Sequence, residues 1–209
     1  MTASQLLFLD VDTQRDFFLP EGARPVSGAQ GIAPNIQKLM HYAFVHGIPV
    51  VSTLEARAKD DPEFAQVRPY CVKGTRGQLK IDGTTLGNAL VVPNDPERAP
   101  DPEAVAAARQ IMVEKQSESV FDNPHTEGLL RVFAPRLVIV FGVATERGVR
   151  QDVLGLCGRG YRTSVVSDGV AGFSAGAAQE ALREMRRASA AFITAPEILT
   201  QADPNQLTW

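Results

Sequence analysis

The stretch VIVFGVATERGVRQD (Val138–Asp152) changes character halfway along. Its first part belongs to an apolar run, Leu137–Val143, with the β-branched content of a strand buried on both faces. After a turn of small residues the second part is polar and reads as a helix. A strand that feeds a helix through a tight turn is the repeating unit of a parallel α/β sheet, in which ligands bind outside the strand carboxyl ends, against helix N-termini. A nucleophile belongs in the first helical turn of such a junction. This stretch has no Ser, Cys or His, and position 148 is glycine.

The same alternation extends in both directions. LLFLDVD (Leu6–Asp12), IPVVSTL (Ile48–Leu54), QIMVEK (Gln110–Lys115), RTSVVSD (Arg162–Asp168) and AAFITAP (Ala190–Pro196) read as strands, and NALVVP (Asn88–Pro93) is a candidate short one. Between them lie helical patterns. GIAPNIQKLMHYAFVHG (Gly31–Gly47) spaces Ile32, Ile36, Leu39, Ala43 and Phe44 along one face and stops at glycine. NPHTEGLLRVF gives a short helix, a helix through Leu156 closes in GRG, and SAGAAQEALREMRRA has Ser174 as its N-cap. Residues 55–110 are irregular and rich in Pro, Gly and charge, a length of loop that is usually functional. The tail QADPNQLTW reads as surface. The pattern predicts a single α/β domain over residues 1–209, a three-layer α/β/α arrangement around an about six-stranded, mainly parallel, Rossmann-like sheet.

Composition narrows the function. With 209 residues, 44% apolar and 22% charged, the chain is long enough to bury a core without staples. A net charge of −3 gives no electrostatic basis for nucleic-acid or membrane binding. Cys71 and Cys157 form no CxxC and read as reduced thiols of a cytoplasmic protein. The opening MTASQLLFLDVD lacks the basic flank and apolar length of an export signal.

Three features fall at strand carboxyl ends: Asp12, Lys115 and the turn after Val143. Brought into one crevice, an acid and an amine can move a proton. Phe8, Phe17, Phe121 and Phe173 either line that crevice or fill core; Phe17 and Phe121, nearest the motifs, are assigned to the pocket.

These motifs, in this order, carry a resemblance. LDVDTQRDFFLPEG, YCVKGTRGQ, VEKQSESVFDNP, FGVATERGVRQD and VVSDGVAG resemble successive segments of the isochorismatase-like, or cysteine hydrolase, superfamily, which includes nicotinamidases. The likeness runs over about Leu6–Pro196. It implies a catalytic aspartate at Asp12, a lysine at Lys115, a cis peptide at Val143–Ala144, and an oxyanion pocket from the backbone of Val143, Ala144 and Gly148. The nucleophilic cysteine of the family falls on Gly148, so the thioester route is closed. Cys157 lies nine residues on, roughly on the opposite helix face, and reads as core.

The resemblance also implies a metal site that this sequence departs from. Nicotinamidases commonly have an Asp and His residues where this chain has Glu55 and Arg57, and Tyr70 precedes Cys71. Asp60, Asp61 and Glu63 read as a solvated acidic loop. No metal and no cofactor are therefore expected. The expected function is a hydrolase acting on a C–N amide or vinyl-ether bond of a small molecule without a Cys nucleophile, with Asp12 as general acid or base assisted by Lys115. The alternative is an inactive relative that keeps the pocket for a small ligand or for oligomer assembly; a homo-oligomer is expected from the family in either case.

Overall fold

Seven runs of apolar sequence pair side by side in the computed structural model, which describes residues 6–204; residues 205–209 of the expected surface tail and the first five residues of the opening segment lie outside it. The strands are β1 (Leu6–Val11), β2 (Val50–Glu55), β3 (Ala89–Val92), β4 (Gln110–Lys115), β5 (Leu137–Val143), β6 (Thr163–Ala171) and β7 (Ala191–Ile193). They form one sheet in the order β3-β4-β2-β1-β5-β6-β7. Every ladder is parallel. The strand beyond the expected six is β3. It sits at the sheet edge, where only Val92 of its four residues is buried, so its apolar signal is weak.

Alternation along β1 splits the interior in two. Leu6 and Phe8 face a core shared with Ile36, Leu39 and Met40 of the long helix over Ala29–His46 and with Ala195 and Ile198 of a short terminal helix. Leu7, Leu9 and Val11 face the other core. There they meet Leu129 and Leu130 of a helix over Thr126–Phe133, Val153 and Leu156 of a helix over Arg150–Gly158, and Ala181 and Met185 of a helix over Ala175–Arg187. Two apolar faces of one sheet, each covered by helices, make the three layers. Short helices at Arg15–Phe18, Pro102–Ala107 and Ala195–Leu199 carry too few turns to show a period in the sequence.

The strand order reverses direction beside β1, because β2 lies on one side of it and β5 on the other. At that switch point the carboxyl ends of neighbouring strands diverge and leave a crevice. Asp12, Lys115 and the turn after β5 all emerge there.

Candidate active site

Asp12 follows β1 directly and adopts φ +48°, a left-handed conformation that Asp tolerates better than most residues. Thr53 of β2 holds it. The Thr53 hydroxyl accepts from the Asp12 N–H at 3.1 Å and lies 2.6 Å from Asp12 Oδ1, to which it can donate. Asp12 is buried, with its Oδ2 left for Lys115 and the cavity beyond.

Lys115, the last residue of β4, is fully buried. Its ammonium donates to Asp12 Oδ2 at 2.8 Å and to the carbonyls of Ser117 and Glu118 at 3.2 and 3.1 Å, which uses all three protons. Burial alone would lower the Lys115 pKa, but the carboxylates of Asp12, Glu55 and Asp152 reverse this and hold it above the ordinary lysine range. Lys115 is thus a fixed positive charge that orients Asp12, not a proton donor.

The third part is the turn after β5. A Cβ on Gly142 would lie 2.0 Å from the Val11 carbonyl oxygen, and its φ of +124° suits glycine alone, so the ends of β1 and β5 approach closely there. The Val143–Ala144 peptide is cis, as the sequence resemblance implied. A wide turn over Thr145–Val149 then leads into the helix over Arg150–Gly158, with Arg147 out of helical geometry at φ −119°, ψ −109°. Gly148 sits on this turn, where a Cβ would lie 3.0 Å from Asp12 Oδ2 and 3.1 Å from Val11 Cγ1. A side chain at 148 would therefore project straight at the carboxylate.

Asp12, Ala144 and Gly148 line one small cavity of about 10 Å³, room for about one water, together with Phe17, Glu55 and Phe173, while Arg24 and Arg147 complete its wall. Of the expected site residues, Asp12, Lys115, Val143, Ala144, Gly148 and Phe17 are brought together or lie directly behind the wall. Phe121 is not. Its ring packs on Gly155, where a Cβ would meet it at 2.5 Å, and under the Arg159 guanidinium at 3.8 Å. Phe173 takes the aromatic place that the sequence reading gave to Phe121. It follows the carboxyl end of β6, and its loop is fastened by Glu146 Oε1, which accepts from the Ser174 N–H at 2.9 Å.

The acidic loop is not simply solvated. Among the described residues Arg57 lies within 2.8 Å of Glu55, 3.2 Å of Asp61 and 2.9 Å of Glu63, and it donates to the Tyr70 hydroxyl at 2.9 Å; Asp60 alone stays exposed. A guanidinium thus occupies the centre of this carboxylate cluster, which borders the cavity through Glu55. The residues present do not fit a divalent cation, since Arg57 would repel it and already takes the oxygens that would bind it. Among the described residues no group of three or more His, Cys, Asp or Glu is placed to hold a metal ion.

Neither thiol is set up to ionise. Burial, with Glu55, Asp12 and Asp16 nearby, pushes the Cys71 thiol far above its ordinary range. Cys157 is half-buried at the margin of the second core, and burial raises its pKa too.

One further acid lies behind the site. Asp152, four residues and so about one helical turn after Gly148, accepts from the Val120 N–H at 2.7 Å through Oδ1, while its buried Oδ2 has no partner among the described residues. Burial pushes its pKa up to about 8, against the pull of Lys115 and the Val120 N–H. By holding Val120 it anchors the loop whose carbonyls bind Lys115.

Residues 5–197 match the isochorismatase domain. Among solved structures the chain is similar to pyrazinamidase/nicotinamidase from Streptococcus mutans, at 22% identity and TM-score 0.75 over 90% of this chain and 99% of that one. It is similar to pyrazinamidase of Pyrococcus horikoshii in complex with zinc, at 22% identity and TM-score 0.74 over 91% and 99%. It is also similar to N-carbamoylsarcosine amidase from Thermoplasma acidophilum, at 21% identity and TM-score 0.71 over 91% and 96%. At such identities the likeness is one of fold. No curated protein matches the chain. No helix among the described residues is long and apolar enough to cross a membrane.

Proposed function

We propose that this chain, which belongs to the isochorismatase family, hydrolyses a small molecule without a covalent intermediate, with Asp12 as general acid or base. The observation that carries the reading is the buried 2.8 Å pair of Asp12 and Lys115, whose carboxylate opens onto a cavity beside Gly148. The volume that a nucleophilic side chain would fill lies within hydrogen-bond reach of Asp12 Oδ2. A water in that volume is the natural attacking group.

For an amide, Asp12 takes a proton from this water as its oxygen adds to the carbonyl carbon. The backbone N–H groups near Val143, Ala144 and Gly148 receive the oxyanion. The C–N bond then breaks, and Asp12 returns the proton to the departing nitrogen. For a vinyl ether, a protonated Asp12 delivers its proton to the terminal alkene carbon. Water adds to the resulting oxocarbenium carbon and returns a proton to Asp12, and the adduct collapses to a ketone and an alcohol. Neither route needs a thiol.

Turnover across small amides and vinyl ethers, compared between wild type and Asp12→Asn, tests this reading; activity that survives the substitution sinks it. The second reading is a non-catalytic relative that binds a small ligand or serves as an oligomer subunit. It draws on the glycine at position 148, and it predicts no turnover of either class while a ligand still raises the melting temperature. Gly148→Cys separates the two further. New amidase activity in that variant means that the surrounding geometry is intact and only the nucleophile is missing.

A further inference from the structure

We infer that Glu55 is the proton reservoir of Asp12: the single water that the cavity admits hydrogen-bonds to both carboxyl groups and carries a proton between them. The relay rests on the hydrolase reading for the reaction it serves, whereas the shared water stands on the geometry of the cavity.

The cavity brings the two acids to one space. Its volume of about 10 Å³ holds about one water, so a water there lies against both Asp12 and Glu55. Glu55 ends β2 two residues after Thr53, the residue that holds Asp12, and so lies on the same face of that strand. Gln14 fixes its backbone, donating to the Glu55 carbonyl at 2.8 Å and accepting from the Glu55 N–H at 2.9 Å. Arg57 Nε donates to one carboxyl oxygen, Oε2, at 2.8 Å. Among the described residues Oε1 has no hydrogen-bond partner, which leaves it for the water. The two arginines of the wall are engaged elsewhere, Arg24 with Glu63 and Arg147 with Glu118.

A count of charges gives Glu55 the proton. Asp12 has the Lys115 ammonium to itself at 2.8 Å. Glu55, Asp61 and Glu63 share two guanidiniums, Arg57 and Arg24, so one carboxyl of the three lacks a cation of its own. Glu55 is the deepest, its side chain 9% exposed against 13% for Asp61 and 31% for Glu63, and desolvation favours the neutral form of the deepest acid. Burial, with Asp12 adding to it, pushes the Glu55 carboxyl above its ordinary range against the pull of Lys115 and Arg57. From the sheet Asp12 and Lys115 act on Glu55, and from the loops Arg57, Tyr70 and Cys71 lie within its field, with Arg24 and Arg147 on the shared wall.

The transfer balances without a co-reactant. Glu55 gives its proton to the water oxygen as the water gives one of its own to Asp12 Oδ2. Glu55 is left as a carboxylate, Asp12 as an acid, and the water is unchanged. Vinyl-ether protonation needs Asp12 in that acid form, which the fixed ammonium of Lys115 does not supply.

A crystal structure of the full chain tests the shared water. One water within hydrogen-bond distance of both Asp12 Oδ2 and Glu55 Oε1 is expected; a dry cavity, or a water that touches one acid only, would overturn the relay. Carbon NMR of the full chain, labelled at the glutamate side-chain carboxyl, tests the proton. The Glu55 resonance is identified by its loss in Glu55→Gln, or in Glu55→Asp should the glutamine variant fail to fold. It is expected to titrate above the ordinary glutamate range and to fall by at least about one pH unit in Asp12→Asn. An ordinary midpoint, or one unmoved by Asp12→Asn, also overturns the relay. In vinyl-ether turnover Glu55→Gln, which keeps an acceptor for Arg57 but carries no acid proton, is expected to lower kcat at least tenfold with KM within about twofold. Vinyl-ether turnover lost in Asp12→Asn and unchanged in Glu55→Gln defeats the relay alone. A shared water and a coupled titration in a protein without Asp12-dependent turnover defeat the hydrolase reading and leave the carboxyl pair standing.

Discussion

Strand β1 delivers two aspartates, two residues apart, and each meets a buried lysine from a distant part of the chain. Asp10 receives Lys80, and Asp12 receives Lys115. The Asp10 pair is closed in on all sides. Asp10 Oδ2 also accepts from Ser52 at 2.6 Å, Lys80 also donates to Thr13, and the loop carrying Lys80 bridges to Gln14 across the strand end. The Asp12 pair has the same chemistry but lies at the switch point of the sheet, where one carboxylate oxygen borders a cavity. A buried charge pair is by itself weak evidence for catalysis. Access to its carboxylate is what separates a site from a clasp.

That contrast can be broken at several points. The largest effect belongs to Asp12→Asn, which is expected to lower turnover by roughly a hundred- to ten-thousand-fold, the range of general acid–base catalysis. Asp10→Asn should leave turnover per folded molecule within a few-fold. Equal losses of kcat in the two variants would show that the pairs are not functionally distinct.

Removing either lysine should be costly to stability, because each leaves a carboxylate buried without its cation. Lys115→Met and Lys80→Met are each expected to lose about 3–5 kcal/mol in denaturant unfolding. Only the Lys115 variant should also lose activity at temperatures where it remains folded.

A smaller effect concerns the acid behind the site. Asp152 holds its proton up to about pH 8 in the folded state, whereas in the unfolded chain it releases it near 3.8. Across that window the folded state binds the extra proton, so Asp152 lowers stability progressively as pH rises, by up to roughly 1.4 kcal/mol per pH unit, and levels off above about 8. Asp152→Asn keeps an acceptor for the Val120 N–H and removes the titration. Its advantage over wild type should be absent near pH 4 and greatest above pH 8, read as melting temperature across the pH range. An advantage that is constant with pH would refute this account.

The smallest effect is expected at Gly148. Gly148→Ala places a methyl 3.0 Å from Asp12 Oδ2 at a position with no left-handed φ, so its stability cost should stay near 1 kcal/mol. Turnover should fall clearly more than stability, since the methyl fills the volume assigned to the attacking water.

The parts of the site that were legible in the sequence are those set by local pattern. Asp12, Lys115 and the Gly142–Gly148 turn each end an apolar strand, and a parallel sheet gathers its carboxyl ends on one edge. Phe17 lies five residues after Asp12 and could hardly reach elsewhere. Phe121 shows the limit of that logic. It is only six residues from Lys115, yet a 3₁₀ turn over Val120–Asp122 turns its ring to Gly155 and Arg159. Proximity in sequence does not tell which way a turn faces. Arg24 and Phe173 come from separate loops and meet only through tertiary packing, and no periodicity marks them.

The sequence by itself determined the layered parallel sheet, the family likeness and the glycine at position 148, because these follow from the spacing of apolar runs and from residue identity at fixed motif positions. Only the tertiary structure decided that Arg57 fills the acidic cluster, that Phe173 and not Phe121 walls the cavity, and that of two matching Asp–Lys pairs one is closed and one is open. Those outcomes depend on how loops of irregular sequence settle over the sheet edge. Their contacts join residues far apart in the chain, and such contacts leave no local period to read.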